Sequence, residues 1–131
     1  MTYIGEVAFG YCGSLKSIEI PSNIINIGDR AFYNCGSLKS VIIGDGVESI
    51  GDYVFTYCTS LTNVIIGSGV TNIGHDAFYG CRSLTSVTIP NSVASIGERV
   101  FSNCKNLTSV TYLGTKKEAM QLGIGDAVRV I

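Results

Sequence analysis

Five cysteines stand at positions 12, 35, 58, 81 and 104, each 23 residues after the one before. Thiols placed so regularly could ligate a metal, pair as disulfides or act as nucleophiles, and each chemistry makes its own demand on spacing. A metal centre needs ligands that converge at short intervals such as C-x-x-C. Intervals of 23 residues with one histidine, His75, do not supply that, and no metal or cofactor is expected. A nucleophile needs a base within reach, and His75 has no serine, cysteine or second histidine at a motif spacing, so no catalytic residue is assigned and no enzyme is expected. Disulfides are harder to dismiss. Chain segments stacked in a sheet lie about 4.8 Å apart, inside the Cα separation of about 4.4–6.8 Å that a bridge tolerates. Yet five is an odd number, and stacked side chains point in parallel. The remaining reading is a buried column of small apolar thiols, Cys12, Cys35, Cys58, Cys81 and Cys104, since free cysteine is among the most buried residue types.

A second column has the same period: Glu6, Asp29, Asp52, His75 and Glu98. Stacked carboxylates could hold calcium or act as paired acid and base. Each stands at the start of a short segment that reads as a helical turn, where a side chain that satisfies free N–H groups is favoured, so these residues are expected to be N-caps. Asp45, in the string GDG, lacks the dense Asp and Gly pattern of calcium-binding β-solenoids. No G-x-G-x-x-G or phosphate loop is present. Asn106-Leu-Thr108 matches a glycosylation sequon, which matters only in a eukaryotic secretory pathway.

Both columns are parts of one repeat. Aligned on itself at a shift of 23, the chain shows five cycles without a gap from residue 1 to about 112. Ile4, Ile27, Ile50, Ile73 and Ile96 share a column, each followed by glycine. Phe9, Phe32, Phe55, Phe78 and Phe101 form another that holds every phenylalanine, and Leu15, Leu38, Leu61, Leu84 and Leu107 a third. A period of this size means a solenoid, in which each coil buries its apolar edge against the coils above and below. Within each cycle the stretch typified by 84–89 alternates apolar and polar residues at its end, the mark of a half-buried strand, with equivalents at 15–20, 38–43, 61–66 and 107–112. Successive copies run in the same direction one coil apart and should stack as a parallel sheet. Pro21, Gly44, Gly67 and Pro90 end the strands. Next come Ile24, Val47, Val70 or Val93 and the Ile-Gly pair, whose glycine permits either a positive φ or close coil contact. A short helical corner then turns Ala31, Phe32 and Cys35 inward.

Bulk composition agrees with such a chain and narrows its partners. The 131 residues hold 46% hydrophobic and 15% charged side chains with 16 glycines, enough for one continuous core and many tight turns. Nine basic against ten acidic residues leave a formal charge of -1, so no nucleic-acid partner is expected. No apolar run approaches the 18 or so residues of a membrane span, so no membrane insertion is expected. The start lacks a basic then apolar leader, so no secretory signal is legible in it, and the chain begins partway through its own repeat.

The pattern L-x-x-[IV]-x-I-[PG]-x-x-[VI]-x-x-I-G-x-x-[AV]-F-x-x-C-x-x-L resembles the BspA-like leucine-rich repeat family over about 110 of the 131 residues. The resemblance implies an α/β solenoid: a right-handed leucine-rich-repeat coil with a parallel β-sheet on the concave face and short helical corners. It also implies a protein-interaction module, adhesin-like and part of a longer bacterial chain at the cell surface or secreted. A structural spacer or scaffold segment without a ligand of its own is the other reading. Residues 1–112 are expected to form five repeats, the first partial and lacking its strand, and 113–131 a C-terminal capping helix and edge strand. In that last stretch Thr115 and Glu118 make a capping box ahead of a helix to about Leu122, with Gly123 as its terminator and AVRVI as the strand. The N-terminal edge has no cap; it frays, packs on a neighbouring molecule and self-associates, or is covered by a longer parent chain.

Two surfaces could then bind a protein or glycan ligand. On the exposed sheet face Ser17, Ser40, Asn63 and Ser86 form one row and Glu19, Ile42, Ile65 and Thr88 the next, continued by Ser109 and Thr111. Ile42 and Ile65 should be neighbours there, an apolar spot in a polar rim; such a patch marks a binding site, although β-branched residues also simply suit a strand surface. On the outer corners Tyr11, Tyr33, Tyr57 and Tyr79 zigzag between adjacent columns with Tyr53 nearby, either as an interface or as cover for the corner's own aliphatic surface.

Overall fold

A computed structural model describes residues 3–113 and 128–130. Two parallel sheets run the length of the stack. The longer strands are β2 (Ser17–Ile20), β4 (Ser40–Ile43), β6 (Asn63–Ile65), β8 (Ser86–Ile89), β10 (Ser109–Tyr112) and β11 (Val128–Val130). They form a six-stranded sheet in the order β11-β10-β8-β6-β4-β2, and the register is the repeat itself, Ser17 facing Ser40 and Ser40 facing Asn63. β11 pairs with β10 through Val110 and Val128, so the AVRVI stretch does supply a strand. The proposed helix over 115–122 lies outside the described residues.

The sequence pattern did not announce the second sheet. β1 (Tyr3–Ile4), β3 (Asn26–Ile27), β5 (Ser49–Ile50), β7 (Asn72–Ile73) and β9 (Ser95–Ile96) stack in order, two residues each. Its polar row is stitched by side chains, with Ser49 Oγ donating to Asn26 Oδ1 at 2.7 Å. The glycines after these strands permit close approach. A Cβ at Gly51 would lie 2.5 Å from Asp29 Oδ1 and 2.8 Å from the Asp29 nitrogen, and one at Gly74 2.5 Å from Asp52 Oδ1.

The corners are turns, not helices, which corrects the expected α-component of the fold. A helix would send every backbone N–H back along its own chain. Here alternate donors leave the coil: Phe55 N–H reaches Ala77 O at 2.7 Å and Tyr57 N–H reaches Tyr79 O at 2.8 Å, while Thr56 and Cys58 close tight turns onto Tyr53 and Phe55. The alternation forces left-handed backbone at two points per corner, with φ between 56° and 61° at nine non-glycine residues such as Arg30, Asn34, Tyr53 and Tyr57. The conformation disfavours L-residues one at a time, and the inter-coil bonds hold it in place.

With no helix to cap, the acidic column acts across coils. Asp29 Oδ1 accepts the N–H of Asp52, Asp52 Oδ1 that of His75, and His75 Nδ1 that of Glu98, each at 2.8 Å. Asp29, Asp52 and His75 thus satisfy the next coil's backbone rather than their own.

Between the sheets and the corners lies one core. Phe32, Phe55 and Phe78 are fully buried, and the five rings stack nearly parallel from Phe9 to Phe101 with centroids 5.2–5.8 Å apart. Cys35, Cys58, Cys81 and Cys104 are buried beside them. Phe9, Phe101 and Cys12 are less covered than their equivalents in the middle coils.

Candidate functional site

Four of the five cysteine thiols, from Cys35 onward, have a fixed partner one coil back that explains the column. Cys35 Sγ donates to Phe9 O at 3.1 Å, Cys58 to Phe32 O at 3.3 Å, Cys81 to Phe55 O at 3.2 Å and Cys104 to Phe78 O at 3.0 Å. All five cysteines are free thiols. The hydrogen bond shared with Cys35, followed by burial, pushes the Cys58 thiol well up, and the Cys104 contact with burial does the same to Cys81. A thiolate, the form that attacks or ligates, is disfavoured at both positions. The column stitches one coil to the previous one, a role apolar side chains of the same size would leave undone.

The exposed face of the six-stranded sheet brings together the residues singled out from the sequence. Ile42 and Ile65 are direct register partners and stand 39% and 50% exposed, the most open aliphatic pair of the sheet among the described residues. Glu19 faces Ile42 from below and Thr88 faces Ile65 from above. Ser17, Asn63 and Ser86 are exposed and Ser40 half-buried along the neighbouring row.

One feature of this face has no signal in the repeat alignment. Between β6 and β8 the ladder holds a single pair, Ile65 with Thr88, whereas β2 and β4 pair over four residues. Lys39, Thr62 and Thr108 each donate a backbone N–H to the coil below; among the described residues no such bond joins Thr85 to Thr62. At the other end Gly44 donates to Ile20 O and Leu113 to Ile89 O, but the equivalent position here is Pro90, which has no N–H. The sheet therefore parts at this seam. Val64 and Ile66 show 7% and 8% exposure where Val41 and Ile43 show at most 1%. The opening is a groove of about 330 Å³ lined by Asn63, Ile65, Ser86, Thr88, Pro90 and Leu113. Leu113, 47% exposed, adds a second apolar wall at the position that Pro90 holds one coil earlier.

On the corners the tyrosines form a continuous ladder. Tyr11, Tyr33, Tyr57 and Tyr79 follow one another with centroids 5.5, 6.1 and 5.7 Å apart, the last two contacts edge-to-face. Tyr53 lies apart, under the Arg30 guanidinium at 4.6 Å. Among the described residues no three potential metal ligands gather, and no helix is long and apolar enough to cross a membrane.

A parallel-strand solenoid of about five turns, with leucine, isoleucine and phenylalanine columns inside and a polar strand face outside, defines the leucine-rich repeat class. The family model described as the BspA type leucine rich repeat region matches residues 1–118 in six copies, and the chain belongs to that family. Solved structures agree. The T. pallidum leucine rich repeat protein is 35% identical with a TM-score of 0.83, over 85% of this chain and 52% of that one. A leucine rich cell surface protein from Faecalibacterium prausnitzii is 34% identical with a TM-score of 0.89, over 95% and 33%. The pneumococcal vaccine antigen PcpA is 25% identical with a TM-score of 0.71, over 74% and 24%. The chain thus spans about half, a third and a quarter of these structures. No match is found among curated proteins. The module is a repeat scaffold of the kind that supports interactions in bacterial proteins.

Proposed function

We propose that this chain is a non-catalytic, adhesin-like interaction module of a bacterial cell-surface or secreted protein, and that it binds a protein ligand through the exposed face of the six-stranded sheet. The observation that carries the reading is the parted seam: an apolar pair, Ile42 and Ile65, running into a groove where the ladder holds a single pair. A sheet that offers unmet N–H and C=O groups beside apolar side chains suits an extended peptide segment. Surface location is supported by the likeness to the F. prausnitzii cell surface protein. The spacer reading draws on the gapless period, since coils that serve only to set length need nothing else; it predicts a smooth, unparted sheet, and the seam at β6 and β8 speaks against it.

A panel of immobilised extracellular-matrix proteins and glycans, probed with the purified chain, tests this. A saturable protein hit that protects Ile42, Ile65 and Leu113 from hydroxyl-radical oxidation is expected. Protection confined to the corners, a hit on glycans alone, or a silent panel would contradict the reading, the last in favour of the spacer.

A further inference from the structure

The opposite side of the stack carries a hollow of different chemistry. About 240 Å³ in volume, it is lined by Tyr57, Gly80, Arg82, Asn103 and Lys105, with no carboxylate among them. Arg82 and Lys105 occupy the same repeat position in successive coils, where two like charges one coil apart repel. Both ion pairs found among the described residues belong to Arg99, and neither cation of the hollow takes part in one. Two stacked cations with no carboxylate paired to them among the described residues, at the rim of a cavity, leave a place for an anion.

Gly80 makes the cavity. Its φ is +72°, but the equivalent positions Tyr11, Asn34, Tyr57 and Asn103 adopt φ of 56–60° with full side chains, so the backbone does not demand glycine. What its missing side chain provides is room: a Cβ there would sit 2.7 Å from the Tyr57 ring. The third ring of the tyrosine ladder, Tyr57, is consequently 42% exposed and borders the two cations. Asn103 also lines the hollow, and because its amide nitrogen donates to Tyr79 OH at 2.6 Å, its amide oxygen is the atom left to accept from a hydroxyl group.

We infer that this hollow binds an acidic sugar, a hexose ring bearing a carboxylate or sulfate. Arg82 and Lys105 meet the anion, Arg82 with the two-pronged geometry that suits a carboxylate or sulfate. The Tyr57 ring covers the apolar face of the sugar, and Asn103 accepts a hydroxyl. An aromatic wall beside an amide and paired cations distinguishes a sugar from a bare ion, which would have no use for the ring. The site is independent of the sheet face proposed above.

Titration of the 15N-labelled chain with sodium glucuronate and with glucose 6-sulfate, at constant ionic strength, reads out the site through the Gly80, Arg82 and Asn103 amides. Saturable shifts with a Kd on the order of 1 mM are expected for at least one of the two, the more effective probe identifying the anionic group. Glucose and acetate should bind at least about tenfold more weakly. R82E/K105E should abolish the shifts, Y57A should weaken glucuronate but not acetate, and G80N, which restores the side chain found at the equivalent coil positions, should fill the hollow and block binding. I42D/I65D should leave the titration unchanged, so failure of the sheet-face reading would be seen separately. Equal binding of acetate and glucuronate, shifts that persist in R82E/K105E, or no saturable shift with either acidic sugar would overturn the assignment.

Discussion

Phe55→Ala is the most informative single perturbation of the stack. The ring is fully buried and lies 5.5 Å from Phe32 and 5.2 Å from Phe78, at 7° and 13° to them. Truncating a buried phenylalanine costs about 3–5 kcal/mol, a range that already includes ring pairs worth about 0.5–1.5 kcal/mol each. Phe9 supplies an internal control, because it is 39% exposed and meets one ring only, at 5.3 Å. With roughly three-fifths of the burial and one ring contact rather than two, Phe9→Ala should cost about 1–2 kcal/mol. Urea unfolding followed by far-UV circular dichroism measures both. The central variant also loses two coil interfaces and the terminal one a single interface, so nearest-neighbour coupling widens the difference. Should Phe55→Ala leave too little folded protein to titrate, Phe55→Leu against Phe9→Leu preserves the comparison. Equal losses at the two positions would refute the idea that stability resides in contacts between coils.

Three other outcomes follow from the geometry. Gly74→Ala should cost about 1–3 kcal/mol, since its Cβ would meet the Asp52 carboxylate and backbone at 2.5–2.6 Å, whereas Gly36→Ala, with open space around it, should be tolerated in the same urea titration. Alkylation of the denatured, unreduced protein should label five thiols by mass, while the native protein should leave Cys58 and Cys81 unlabelled. Because the folded state holds those two thiols neutral, the unfolded state binds fewer protons above its own thiol pKa, near 8.5, so stability is full below that pH and falls as pH rises through it. The lowered Cys35 and Cys104 thiols act in the opposite sense, so the contribution of the raised pair is read as a difference: C58A/C81A should fall less steeply with pH than wild type.

The columns legible in the sequence are those whose residues are chemically alike in every coil. Leu, Ile, Phe and Cys recur because each fills the same slot, and their spacing alone located β2, β4, β6, β8 and β10 and the neighbours Ile42 and Ile65. The second sheet escaped because two-residue strands such as Asn72–Ile73 carry no alternation to detect. The corners were misread as helical because Ala31, Phe32 and Cys35 do fall on a helix-like spacing; what overrides it is the diversion of alternate N–H groups to the next coil, which depends on a neighbour rather than on local sequence. The same diversion moved Asp29 and Asp52 from caps of their own coil to acceptors for the next. Departures from the repeat carried the functional information. Pro90 brings no donor to the seam where the ladder thins to one pair, although Pro21 shares its column, and Gly80, the one glycine in its column, opens the corner.

The claim that the sheet face binds is tested most directly with I42D/I65D. Wild type and variant are compared on the same immobilised panel of matrix proteins by surface plasmon resonance, with far-UV circular dichroism confirming the fold. Both side chains point to solvent, so the variant should fold unchanged and lose at least about tenfold in affinity for the protein hit, the equivalent of about 1.4 kcal/mol. Undiminished binding by the well-folded double variant would contradict the account.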